Sequence, residues 1–417
     1  MLEGAAPSTP LAWGAAPSAP LGWGAAPSTP PALAFRMHKR SAYVLVLTVA
    51  ALVTLGLVML YSTGAFAPDS HGDQFNFLKR QSFWLGVGFI FSIVFALVDY
   101  HWLERSWYVL YPATLGLLAL CFIRPIGMRI NGSWRWIHAG PVTFQPSELA
   151  KLASIIFIAW WFSKFEAKRK GFLMGLIYPV TVVAALLALI VLETDLGTTL
   201  LIGGTIFLMM FVAGASPKFL GPVVLAGLSA VLTIAWHISE RQGRLLAFLH
   251  PDQYQEKEGH QQWMGLIAFG SGGPEGLGLG NGRQKMLYLP YAHTDFIFPV
   301  IGEELGLRIT LVVVFCYLLV VTSGILIALN AKDRFGMLLG FGCTAILGLQ
   351  AAINIGVTTS MLPNKGLPLP FISYGGSNLF FCLICVGILI NIYRQGKEDK
   401  AVASTQMMVR IRHVSRI

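Results

Sequence analysis

The sequence predicts an all-α, polytopic membrane protein of about ten transmembrane helices, with one large extracytoplasmic loop between the seventh and eighth. Three observations predict it. The 417 residues are 55% hydrophobic and only 12% charged, with a mean hydropathy of +0.65. So few charges cannot cover the surface of a soluble chain this long. The apolar residues fall in runs of about the 20 residues needed to cross ~30 Å of hydrocarbon. The basic residues favour alternate connecting segments, as cytoplasmic loops do. Disorder, a disulfide scaffold and a secreted enzyme fit poorly. The net charge of +10 points to loop placement and to acidic lipid or phosphate, not to nucleic acid. Cys121, Cys316, Cys343, Cys382 and Cys385 all lie inside apolar runs. They read as packing residues, with no disulfide framework and no metal site.

Taken in order, residues 1–35 repeat a decamer: GAAPSTPLAW, GAAPSAPLGW, then GAAPSTPPAL. A nearly chargeless stretch of Ala, Pro, Gly and Ser cannot build a core and reads as a disordered arm. It lacks the charged start of a signal peptide. The membrane domain is expected over 36–395, with spans at roughly 41–62, 82–99, 106–123, 147–163, 172–192, 196–213, 218–236, 296–328, 334–360 and 370–393. An even number of spans puts both termini on one side. With the N-terminus cytoplasmic, 17 of the 30 basic residues fall inside, including the cluster SKFEAKRKG at 163–171 and a basic tail at 396–417. The loop over 237–293 is then extracytoplasmic.

Eleven basic residues remain outside, against the usual bias. Five acids balance the five in the long loop, but Arg124, Arg129 and Arg135 have no acid beside them in sequence. An anionic ligand at the outer membrane face is the simplest reason to keep them there.

Four polar segments interrupt the apolar chain, all on that outer side. In NGSWRWIHAGPVTFQPSELAKL (131–152), Asn131-Gly132 and Gly140-Pro141 are turn signals and Pro146 opens a helix. Glu148 and Lys151 fall on one face just inside the span, costly unless paired or facing a wet cavity. ETDLGTT (193–199) reads first as a solvated turn carrying Glu193 and Asp195, with assistance to a cation or sugar as the second reading. The long loop holds an amphipathic stretch at 240–254, suited to lie in the interface on Leu245, Leu246, Phe248 and Leu249. It continues into the glycine-rich GSGGPEGLGLGNGRQK (270–285), which lacks the Lys-Ser/Thr ending of a nucleotide loop. YLPYAHTDFIFPVIGEELGL (288–307) follows. Here Asp295 opens a membrane helix among aromatics, which raises its pKa as a general base requires. Glu303 and Glu304 read as partners for Arg308, and Pro299 as a kink or a helix start. The fourth segment, MLPNKGLPLPFISYGGSN (361–378), carries a single charge, Lys365. Its prolines keep the chain out of helix, and its glycines let backbone line a cavity.

These motifs, in this order, resemble the SEDS family of bacterial membrane proteins (shape, elongation, division and sporulation). The likeness rests on RW at 135–136, QPSELAKL, TDLGTT, GLGNGRQKMLYLP with AHTDFIF and GEELG, and LPNKGLPLPFISYGGS, and covers about 41–395. QKMLYLP and Lys365-Gly366 are more similar to the division-type branch (FtsW) than to the elongation-type branch (RodA). Tyr291, Thr194 and Pro299 depart from the usual Glu, Pro and Ala. The resemblance implies a peptidoglycan glycosyltransferase that polymerises lipid II at the outer face of the cytoplasmic membrane. It implies Asp295 as the catalytic carboxylate, Lys151 and Glu148 beside it, and substrate contacts from Arg135, Trp136, Gln145, His293, Thr294, Lys365, Ser373 and Ser377. It further implies a divalent cation (Mg²⁺ or Mn²⁺), with Asp295 the only ligand suggested, and a class B penicillin-binding transpeptidase among other division or elongation partners.

The residues suit that chemistry. An α-linked lipid diphosphate displaced by a sugar hydroxyl inverts the centre once. Its leaving group needs no second carboxylic acid, so one base plus positive charge suffices. A Lys151–Asp295 pair would oppose the rise in the pKa of Asp295. The rival readings are a lipid II flippase or other transporter, which ten spans would also suit, and a non-catalytic scaffold.

Overall fold

Helices form where the apolar runs are. The computed structural model describes residues 31–64, 75–124, 126–130, 133–139, 142–250, 253–286 and 288–414. The long helices are α1 (Pro31–Gly64), α2 (Asn76–Leu97), α3 (His101–Leu120), α4 (Pro146–Lys164), α5 (Tyr178–Leu192), α6 (Leu196–Val212) and α7 (Pro217–His237). Two shorter ones, α8 (Ser239–Leu249) and α9 (His260–Gly272), interrupt the long loop. The chain ends with α10 (Ile297–Leu329), α11 (Arg334–Thr358) and α12 (Gly376–Val414). Among the described residues, seven helices are long and apolar enough to cross a membrane: α1, α2, the run Leu173–Leu192 that contains α5, α7, α10, α11 and α12. The other three expected spans are also helical. However, α6 is shorter, while α3 holds Glu104 and Arg105 and α4 holds Glu148 and Lys151.

The termini of these helices follow local rules. Pro146 and Pro217 occupy first turns, where a missing N–H costs nothing. Asp195 and Asp333 cap α6 and α11, accepting from Thr198 N at 3.0 Å and Gly336 N at 2.7 Å. Several expectations shift. Helix α1 starts at Pro31, so the last five residues assigned to the N-terminal arm are helical, and the rest of the arm lies outside the described residues. The last span starts at Gly376, not 370, because Pro370 and a left-handed Phe371 precede it. In α10, Pro299 sits harmlessly in the first turn, and the break comes at Gly306, with φ 77° and ψ 178°.

Helix α4 is the centre: it is buried along nearly its whole length, against α3, α6 and α11. Helix α10 lies against α1, α9 and α11, and α2 lies along α12. Large apolar side chains such as Phe83, Phe89, Leu225, Leu311 and Phe315 cover the perimeter, an arrangement that lipid tolerates and water does not. One feature departs from the all-α expectation. Antiparallel strands β1 (Gly127–Ile130), β2 (Ser133–Ala139) and β3 (Val142–Phe144) form a small sheet in that order. It caps the bundle at the end where the polar segments gather.

The other end is tied separately. His101 bridges Asp99 at 2.7 Å and Asp333 at 2.9 Å. Tyr100 donates to Asp333 at 2.6 Å, and Arg334 reaches Glu166 and the carbonyl of Ala213.

Candidate active site

Asp295 stands two residues before α10, in a turn whose backbone is held at three successive carbonyls. Tyr374 N donates to His293 O at 3.0 Å, Ser373 Oγ to Thr294 O at 2.6 Å, and Asn354 Nδ2 to Asp295 O at 2.8 Å. The carboxylate itself is treated differently. Among the described residues, no side chain hydrogen-bonds or ion-pairs with it. Gly366 lies directly against it, since a Cβ there would strike Asp295 Oδ2. That approach brings the segment carrying Lys365 to Asp295.

The charges around it explain its acidity. Removal from water lifts the Asp295 carboxyl to about 6; Arg135 pulls it down, Asp195 pushes it up, and Arg244 pulls it down. Lys365 is affected by the same neighbourhood. Burial lowers its amine to about 8, helped by Arg241 and Arg244 and opposed by Asp195. Arg135, on β2, reaches Asp195 at 3.7 Å and has a buried Nε with no partner among the described residues. An orphaned guanidinium donor beside two cations on α8 is a receptor for an anion.

Several expectations change here. The turn at 193–195 is not solvated: Glu193 is 0% and Asp195 5% exposed. Ser133 and Arg135 of β2 and Arg241 of α8 meet the turn, and both Glu193 oxygens lack hydrogen-bond partners among the described residues. Burial lifts the Glu193 carboxyl to about 8, with the Cys121 thiol and Arg135 opposing and Asp195 adding. Arg135 does face an acid, Asp195, and Arg124 lies over the Trp134 ring at 5.1 Å. Lys151 does not pair with Asp295. Its amine donates to Glu148 at 2.7 Å and Gln350 at 2.9 Å, and Asn378 completes the carboxylate at 3.2 Å. Gln350 in turn donates to Pro368 O at 2.8 Å, so Lys151 meets the site through the proline segment.

The remaining candidates divide into two groups. Trp136 is half-buried on β2, opposite Met128. His293 is buried, 4.6 Å from the Phe77 ring, and Thr294 Oγ1 folds back to Tyr291 O. Gln145 precedes α4, with its N–H on Ser377 Oγ at 3.3 Å. Ser373 and Ser377 are buried with their hydroxyls engaged by the protein, and they hold the loops together.

Sequence reasoning gave Asp195 only its second reading and did not single out Arg241 or Arg244 as site residues. Arg241 donates to Thr194 O at 2.6 Å, pinning α8 to the turn. In the sequence α8 is an amphipathic helix, with nothing to say which turn its arginines would meet. The sheet had a local signal: Trp-Arg-Trp-Ile alternation after an Asn-Gly pair is a hairpin pattern, although Asn131 and Gly132 themselves lie outside the described residues. Backbone strain also marks the site. Among the described residues, the non-glycine residues with left-handed φ are Thr194, Tyr291, Ser360 and Phe371, and all four lie in the connections at this end of the bundle. Such outliers persist where surrounding structure over-determines them, as at functional sites.

A model of the FtsW/RodA/SpoVE cell cycle proteins matches residues 43–398. The chain is 42% identical over 356 residues to a probable peptidoglycan glycosyltransferase FtsW of Geobacter metallireducens, covering 85% of this chain and 95% of that one. It is 38% identical over 355 residues to the stage V sporulation protein E of Bacillus subtilis, covering 85% and 97%. Among solved structures it is similar to a chain of a peptidoglycan synthase complex studied for its coordination of polymerization and crosslinking, with a TM-score of 0.69, 29% identity, and 85% and 98% coverage. It is also similar to the rod shape determining protein RodA of Thermus thermophilus, with a TM-score of 0.63, 30% identity, and 84% and 95% coverage.

Proposed function

The chain belongs to the FtsW/RodA/SpoVE family of cell cycle proteins, and from that premise we infer a peptidoglycan glycosyltransferase that polymerises lipid II with Asp295 as its general base. The observation that carries the role of Asp295 is its carboxylate, without a bonded side-chain partner among the described residues, within the field of Arg135, Asp195 and Arg244 and with Gly366 packed against it. A carboxyl near 6 is ionised at neutral pH yet basic enough to take a proton. It accepts the proton of the acceptor sugar hydroxyl as that oxygen bonds to the donor's anomeric carbon. The bond to the lipid diphosphate breaks on the opposite face. Arg135, Lys365 and the α8 arginines then offset the charge gathering on the departing diphosphate. A polyprenyl-anchored substrate reaches a site at the membrane boundary without leaving the bilayer.

Both termini are read as cytoplasmic and the site as outer, on the strength of the basic residues at the opposite end. FtsW-named and sporulation relatives at about 40% identity favour a division-type role over the elongation role of RodA. A penicillin-binding transpeptidase is the partner that the neighbouring synthase complex suggests. Among the described residues no group of three or more His, Cys, Asp or Glu could hold a metal. Mg²⁺ commonly takes only one or two carboxylates plus phosphate oxygens; Asp295 would supply such a carboxylate, and the ion would neutralise diphosphate charge.

The test is polymerisation of labelled lipid II by the purified protein with its transpeptidase and Mn²⁺, wild type beside Asp295→Asn. Loss of a base predicts a fall of about 10²–10⁴ in rate. Long strands from both proteins would remove Asp295 from the mechanism. Strands from neither, together with passage of lipid II across vesicles, would turn the assignment to transport.

A further inference from the structure

A second cluster of buried charge lies where the glycine-rich stretch meets α1 and α10. Lys285 Nζ is 2.6 Å from Glu304 Oε1 and donates to Ser62 Oγ at 2.7 Å and to Gly280 O at 2.8 Å. Ser62 Oγ donates to Glu304 at 2.8 Å, and Gly280 N donates to Glu304 Oε2 at 3.0 Å. Glu303 accepts from Arg283 N at 2.8 Å and Gln284 N at 3.2 Å. The glutamates are therefore not partners of Arg308, which meets Glu275 at the surface. The glycine-rich backbone, open in sequence to a phosphate, cradles the protein's own carboxylates.

A lysine–glutamate pair with side chains 1% and 0% exposed adds little net stability, because desolvation offsets attraction. Its geometry, however, tolerates no slippage, since a shift would leave a buried charge alone. The pair also closes a loop. It joins residues 19 apart, 285 and 304, and the arm between them bears His293, Thr294 and Asp295. Closing such a loop removes much of the arm's freedom. The carbonyl bonds described above hold the arm's tip, and the clasp holds its two roots.

We propose that Lys285 and Glu304, with Ser62, are positioning residues that set the reach of the arm presenting Asp295. They act through the arm and touch no substrate. The proposal rests on Asp295 being the base. Displacing a base by an ångström can cost up to ~100-fold in rate.

The test measures kcat and KM for lipid II polymerisation, per folded molecule, alongside thermal stability, in the full chain with its transpeptidase. Lys285→Met should lower kcat at least ~10-fold with KM within about twofold. Adding Glu304→Leu removes the stranded charge, so stability should return while kcat stays at least ~10-fold down. Recovery of kcat along with stability, or no loss in either variant, would overturn the proposal. Ser62→Ala spares the ion pair and serves where a charge variant cannot be purified. Its kcat should fall on the order of 2–5-fold at constant KM, and an unchanged kcat overturns the idea equally. Asp295→Asn in the same assay separates the two readings. An active Asp295→Asn defeats the base assignment, whereas an inactive one beside normal clasp variants defeats only the clasp.

Discussion

Glu148 and Asp295 are both carboxylates near the same end of the bundle, and the protein holds them in opposite ways. Glu148 is 3% exposed, with Lys151 on one oxygen and Asn378 on the other. Asp295 has its backbone fixed by α11 and the proline segment, while among the described residues its carboxylate has no bonded side-chain partner. The first charge is completed and shapes the protein. The second is aimed but left without a bonded side-chain partner among the described residues, which suits its proposed role of accepting a proton. Rigid backbone with an unsatisfied side chain is the signature that separates the two, and neither burial nor residue type alone would do so.

The contrast should be clearest in thermal unfolding. Lys151→Met strands Glu148 and should cost about 3–5 kcal/mol, most of it restored by adding Glu148→Gln. Asp295→Asn, with no ion pair to lose, should leave stability unchanged or slightly raised. Equal destabilisation by both single variants would erase the distinction.

The pH dependence of kcat/KM sharpens it next. Asp295 must be unprotonated, so the rate should climb as pH rises through about 6. Lys365 must keep its proton, so the rate should fall as pH passes about 8. Lys365→Arg should move the alkaline limb upward, because a guanidinium stays charged. A profile flat from pH 5 to 9 would contradict both roles.

The smallest effect concerns Glu193, which is buried like Glu148 and unpaired like Asp295. Its folded value of about 8 lies above the 4.5 of a free carboxyl. Folding therefore takes up a proton across that window, and the stability is present below 4.5 and lost as pH rises through 8. Glu193→Gln should stabilise the protein by on the order of 1–3 kcal/mol at pH 8 and by almost nothing near pH 4.5. Urea unfolding at the two pH values checks this.

What the sequence disclosed follows from range. Apolar runs, first-turn prolines and Asp caps are local, so the helices could be placed within a few residues. Asp295 could be singled out as a candidate because an aspartate at the mouth of a membrane helix is costly wherever the rest of the chain goes. Partners could not be chosen in the same way. Glu304 sits four residues from Arg308, a natural helical pair, yet it binds a lysine 19 residues away because Gly306 breaks the helix between them. Asp195 and Arg135 meet only because a sheet folds over the turn, and α8 reaches the same turn through the carbonyl of Thr194.

The break at Gly306 has a practical side. Its freed carbonyls are taken up by the glycine-rich stretch, with Leu277 N on Glu303 O and Gly278 N on Glu304 O, both at 2.9 Å. Gly276 and Gly306 lie back to back, and a Cβ on either would strike the other's backbone. A stretch that resembles a floppy linker thus behaves as a dovetail joint of fixed length. Epitope tags, protease sites and fluorescent insertions meant to report on this side of the membrane belong around 253–258, between α8 and α9, and not among the glycines where composition alone would send them.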